Sequence, residues 1–312
     1  MRNMTIVRTR LKTALAIAAF TMSAPLLAQD RVTTVIAQAR TALGGEQKLT
    51  AVKAISAEGV SRRALGARSV ESTVTLLLVR PDKLRRSEES SMFGATTERI
   101  STFDGAQAWD ETLNAARVGG GGGGGGDHDH GPGGFAGAFG GADHNHADGL
   151  QGRGSTESSG SGALTADQID AARLRRMKME LQRWTIAFLA DSNQPFTDAG
   201  QAQSPDGPAD VLETKDEAGR AVRYFIDPAS HMPLMVQYQE VRAQGAAARA
   251  SAGAPTLSTV AMHLSGYKKV DALLLPHQID ISIDGRASEA WTIDAFKINP
   301  KVKANAFQRP NK

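Results

Sequence analysis

The stretch His277-Gln-Ile-Asp-Ile-Ser-Ile-Asp-Gly285 decides the class of fold. Ile279, Ile281 and Ile283 alternate with Gln278, Asp280, Ser282 and Asp284, the period of a strand with one face buried and one face wet. Asp284-Gly285 then supplies two residues that tolerate positive φ, which is the signal of a tight hairpin into a further strand over 290–298. Working upstream, 259–267, 234–241, 221–226 and 211–214 also read as extended, with turns at Glu217-Ala218-Gly219 and Asp227-Pro228. Towards the N-terminus the same reading gives 52–62, 70–80, 83–89, 98–103 and 106–111, the last carrying Trp109. The sum is about ten antiparallel strands.

Two segments carry helical spacing instead. Asp30 is placed to cap a helix through Val32, Val35, Ile36 and Ala39 that ends at Gly44-Gly45. Thr165 and Gln168 fit a capping box, after which Leu174, Met177, Leu181, Trp184 and Phe188 recur every three or four residues. Arg173, Arg175, Arg176 and Arg183 fall on other faces of that helix. The fold class is therefore mainly β with helices.

The N-terminus reads as an export leader. Arg2, Arg8, Arg10 and Lys12 precede an apolar core at 14–20, and Pro25-Leu26-Leu27-Ala28 follows. This order of charge, short apolar core and small residue predicts a signal peptide over 1–28, cut after Ala28. The alternative is an amphipathic N-terminal helix that stays attached. The formal charge of +3 becomes −1 without the leader's four cations, which removes the electrostatic footprint of a nucleic-acid binder. The chain has no cysteine, hence no disulfide and no lipid-modified cysteine, and no later apolar run is long enough to span a bilayer. The periplasm of a two-membrane bacterium is the expected location, with secretion as second choice. Residues 29–312 are expected to form a single domain.

That domain is interrupted. Gly119 to Gly126 are eight consecutive glycines, followed by Asp127-His128-Asp129-His130, Asp143-His144-Asn145-His146 and a Ser/Gly-rich tract. Glycine loses most entropy on ordering and offers no side chain to bury, so 118–162 is expected to be a flexible insertion. Its His128, His130, His144 and His146 are the metal-like residues of the chain. The alternative is a solvated loop, since a mobile site must be ordered on binding.

At Leu78-Val79-Arg80-Pro81-Asp82-Lys83-Leu84 the chain resembles the LolA/LolB-like family of periplasmic lipoprotein carriers, in which an apolar strand ends in an Arg-Pro step. The Asp104-Gly105 turn and Trp109, the segment Tyr224-Phe225-Ile226-Asp227, and the ending from Trp291 to Phe307 and Pro310 follow in the family's order. The resemblance implies a curved antiparallel sheet, an incomplete β-barrel lidded by an N-terminal helix and a mid-chain helix, whose cavity takes up acyl chains. It implies a lid carrying Leu174, Met177, Leu181, Trp184 and Phe188, and a latch at Arg80, whose fork of donors suits several carbonyls. The insertion is foreign to the family pattern, and the chain is poorer in aromatics than carrier cavities are.

No catalytic motif emerges: there is no Gly-x-Ser-x-Gly, no His-Glu-x-x-His and no phosphate loop. His231, His263 and His277 lie on or near strands, where packing or exposure is the usual role. A non-enzymatic binding protein without cofactor is expected, with a lipid or lipoprotein acyl chain as ligand. At strand spacing, Val74, Leu76 and Leu78, Leu234, Val236 and Tyr238, and Val260, Met262 and Leu264 would line the cavity; the same residues would equally form a closed core. The alternative functions are an envelope interaction or sensor domain without a lipid, or weak metal binding through the histidine-rich loop.

Overall fold

The computed structural model describes residues 24–65, 68–92, 95–115, 165–191, 193–204, 207–241 and 256–310. The leader before residue 24, the insertion and its four histidines lie outside the described residues. Helices α1 (Ala24–Ala42) and α2 (Glu46–Thr50) lead into strands β1 (Ala54–Leu65), β2 (Arg68–Val79), β3 (Lys83–Met92), β4 (Ala95–Phe103) and β5 (Ala108–Ala115). Helix α3 (Ala166–Leu189) follows, then β6 (Thr197–Ser204), β7 (Gly207–Lys215), β8 (Ala221–Ile226), β9 (Pro233–Val241), β10 (Leu257–Val270), β11 (Leu273–Ile283) and β12 (Arg286–Ile298).

The strands form one sheet in the order β5-β4-β3-β2-β1-β12-β11-β10-β9-β8-β7-β6, antiparallel throughout. Two meanders are thus joined where the last strand pairs with the first, and β5 and β6 remain as separate edges, so the sheet is not closed into a barrel. Asp284 and Gly285 both take positive φ, the hairpin geometry read from the sequence. Gly59 sits at a bulge of β1 against β12, where a Cβ would overlap the Thr292 carbonyl. Gly44 ends α1 with φ near 132°, in contact with the β10–β11 turn at Ala272.

Three local readings are corrected. Helix α1 begins at Ala24, so Asp30 lies within it and does not cap it; its carbonyl instead accepts from the Thr34 hydroxyl at 2.8 Å. The helix α2 and the edge strand β6 are additional elements. The capping box of α3 forms as read: the Gln168 amide donates to the Thr165 hydroxyl at 3.3 Å, and the Thr165 amide donates to the Gln168 side chain at 2.8 Å.

The core lies on the face of the sheet that α1 and α3 cover. Cross-strand register shows how that face changes along the strands. Ile55, Leu78, Leu84, Phe103 and Ala108 form an apolar row across β1–β5. The next row is Ala57, Leu76, Arg86, Ser101 and Asp110, and the one after is Gly59, Val74, Glu88, Arg99 and Thr112. The covered face therefore grades from apolar to charged across the first meander, while the rows of β8–β11, such as Tyr224, Val236, Met262 and Ile281, stay apolar.

Candidate functional site

The lid residues of the sequence reading come together on one side of α3. Met177, Leu181, Trp184 and Phe188 are buried in the main core, and Leu174 packs against its margin. Trp184 stacks at a tilt on Phe188 and on Trp291 of β12, with ring centres 5.1 and 5.2 Å apart, and Phe188 meets Phe296 edge-on. Val74, Leu76, Leu78, Val236, Tyr238, Val260, Met262 and Leu264 are all buried in that same core. Leu234 is placed elsewhere. It falls at the irregularity where the β8–β9 pairing shifts register, and it packs on a smaller cluster of Val211, Phe225 and Met235 on the other face.

A small cleft lies between α3 and the sheet. The cleft between them has a volume of about 30 Å³, room for a water or two. Its floor is Trp184, Trp291, Met262 and Ile281, and its rim is Arg86, Arg183, Glu180 and Glu240. The rim is tightly paired. Arg86 of β3 donates to Glu180 of α3 at 3.0 Å, and Arg183 donates to Glu240 of β9 at 2.6 Å while stacking 3.9 Å over the Tyr238 ring.

The Arg86–Glu180 contact belongs to a closed circuit. Arg63 lies between Glu88 and Glu289 at 3.5 and 3.3 Å. Glu289 accepts from the Trp291 indole at 2.6 Å, Trp291 packs on Trp184, and the Trp184 indole donates to Glu180. Arg86 returns the circuit from Glu180 to Glu88. Burial pushes the Glu289 carboxyl above its ordinary range despite the opposing Arg63, whereas for Glu88 burial is outweighed by Arg86, Arg63 and Arg99 and its carboxyl is held low.

The two ends of α3 are anchored differently. Arg40 of α1, 4% exposed, donates to the carbonyls of Leu189 at 2.8 Å and Ala190 at 3.1 Å, and its other donors engage Glu46 and Thr50 of α2. It satisfies orphan carbonyls at a helix C-terminus with a cation, the favourable end of the helix dipole. Arg80, preceding a cis Pro81, reaches the same end less closely, 3.7 Å to Asp191, and donates to the Leu49 carbonyl of α2 at 3.4 Å. The sequence reading missed Arg40, because a pairing across 149 residues leaves no local signal. At the other end, Arg173 and Arg176 bond Asp110 of β5 at 2.8 and 2.7 Å, and Lys178 bonds Glu217 at 3.3 Å.

His277 is buried, with Nδ1 2.7 Å from the Ile293 carbonyl and its ring edge-on to Phe296, a packing role. Among the described residues no group of three metal-ligating side chains converges, and no helix is long and apolar enough to cross a membrane.

No protein-family model matches the chain, and no curated protein matches it. Solved structures are similar in the course of the chain. One is a putative outer membrane lipoprotein-sorting protein domain from Vibrio parahaemolyticus, 10% identical, covering 88% of this chain and 94% of that one with a TM-score of 0.42. A DUF1329 family protein from Desulfovibrio piger is 7% identical over 89% of this chain and 97% of that one, at 0.42. A LolA superfamily protein from Nitrosomonas europaea is 8% identical over 89% and 97%, at 0.43. Two of these three neighbours are thus described in their own names as lipoprotein-sorting or LolA-type proteins.

Proposed function

We propose that the protein is a non-enzymatic carrier that holds the acyl chain of a lipid or lipoprotein between the covered face of the sheet and α3. The observation that carries this reading is the build of the interior: one open sheet whose apolar face is closed by helices, with α3 laid over it by a row of apolar side chains. The ligand replaces those side chains, since the cleft of about 30 Å³ admits no chain beside them. The magnitudes allow it. Uncovering Leu174, Met177, Leu181 and Trp184 costs about 6–12 kcal/mol, and burying about a dozen methylenes returns about 10 kcal/mol. The candidate lining is Val74, Leu76, Leu78, Val236, Tyr238, Val260, Met262 and Leu264.

In this reading the chain is exported, cut near Ala28 and works in the periplasm as a single domain carrying a loop at 118–162. Arg80 and Arg40 together hold the C-terminal end of the lid. Protein purified from the envelope without detergent is extracted and its lipids analysed by mass spectrometry. The expected result is a bound lipid in stoichiometric amount. Lipid-free protein that also takes up no fatty acid points to the interaction-domain reading, which the filled interior favours.

A further inference from the structure

The outer flank of α3 has a chemistry that the lid reading leaves unused. From Arg173 to Lys178 the helix carries four basic residues and no acidic one; the next acidic residue, Glu180, is buried and paired with Arg86 of the sheet. Arg175 is exposed and has no carboxylate partner among the described residues. Lys178 has a side chain 37% exposed and is held by one long contact to Glu217. Arg173 and Arg176 share Asp110, and Arg173 also touches Asp170. Beside them, the exposed Lys215 is fixed against α3 by Gln182, which donates to its carbonyl at 3.0 Å. Asp167 and Asp170 stand at the helix start, so the positive stripe occupies its middle. The opposite side is the apolar row from Leu174 to Phe188 with a tryptophan in it.

A basic flank joined to an apolar face with an aromatic is the build of a helix that lies in a membrane interface. Guanidinium groups match phosphates, and juxtamembrane cations gain from an anionic surface. We propose that α3 docks this protein on an anionic bilayer surface, with Arg175 and Lys178 making first contact. Arg173 and Arg176 then exchange Asp110 for lipid phosphate, which frees the N-terminal half of the helix to lift. This deepens the carrier reading and rests on it for the consequence of lifting, which would open the interior at the place where lipid is exchanged. The C-terminal end stays on the sheet through Arg40.

The test is co-sedimentation of the mature chain with vesicles of phosphatidylcholine alone or with about one-third phosphatidylglycerol. Binding is expected to the anionic vesicles only, and to weaken as sodium chloride is raised. Arg175→Glu combined with Lys178→Glu should weaken it by about tenfold or more, at about fivefold per basic residue lost. Equal binding to both vesicle types, no binding, or undiminished binding by the double variant overturns the proposal. If the double variant does not fold, the salt and lipid dependence of the native chain decides. Fatty-acid uptake without vesicles is measured in parallel: uptake with no vesicle binding overturns docking and leaves the carrier, whereas vesicle binding with no uptake does the reverse.

Discussion

The two halves of α3 are held by different physics. From Thr185 to Ala190 every residue is buried, several completely, and Arg40 bonds two of the terminal carbonyls from inside the protein. From Ala166 to Lys178 only Met177 is buried, and the helix is attached through Asp110 and Glu217 by pairs that water and salt reach. Apolar burial is worth about 1.5–3 kcal/mol per large side chain, and a surface ion pair about 0–1 kcal/mol. In the proposed carrier, that difference would make the C-terminal half the hinge and the N-terminal half the part that opens.

The largest expected effect is at the hinge. Phe188→Ala removes a fully buried ring between Trp184 and Phe296, and urea unfolding should show a loss of about 3–5 kcal/mol. Arg40→Ala should cost about 2–3 kcal/mol by leaving two buried carbonyls without a donor, and Arg80→Leu about 1 kcal/mol or less, because its contacts are longer and wetter. Equal losses at the two arginines would break the assignment of the hinge to Arg40.

A smaller effect sharpens the other half. Burial acts to raise the Asp110 carboxyl, but Arg176, Arg173 and the Ser101 hydroxyl together hold it below its ordinary range. A carboxylate depressed in the folded state stabilises above its unfolded pKa, and that contribution is lost as pH falls through the folded value. The protection of amides in the first three turns of α3, relative to their intrinsic exchange rates, should therefore fall below about pH 4, with Thr185 to Leu189 unaffected. Asp110→Asn should abolish this pH dependence at about 1 kcal/mol or less of global stability. Loss of protection along the whole helix would mean that α3 moves as one unit.

Alternation made the strands legible: β8 is found at the residues read as extended, and the Asp284-Gly285 hairpin took its expected form. Strand β6 was not legible, because Thr197 to Ser204 contains no apolar alternation; it exists through pairing with β7 and through Arg31, which joins Asp198 to Asp210. The apolar face of α3 could be read from spacing, as could most of the residues beneath it. Leu234 could not, since a register shift in β9 moves it off the row that Val236 and Tyr238 share. The charged circuit of Arg63, Arg86, Glu88, Glu180 and Glu289 was invisible for a related reason: it is assembled by register across strands and a helix distant in the chain.

The central claim is that an acyl chain takes the place of the inner side chains of α3, and Trp184 reports it. Trp184 and Trp291 both line the cleft, while Trp109 pairs across to Thr102 outside it. In a Trp109→Phe background, titration with a long-chain fatty acid below its micellar concentration should shift the emission of the remaining tryptophans saturably, and a short-chain acid should not. Emission unchanged by every chain length, with the fold intact, would contradict the account.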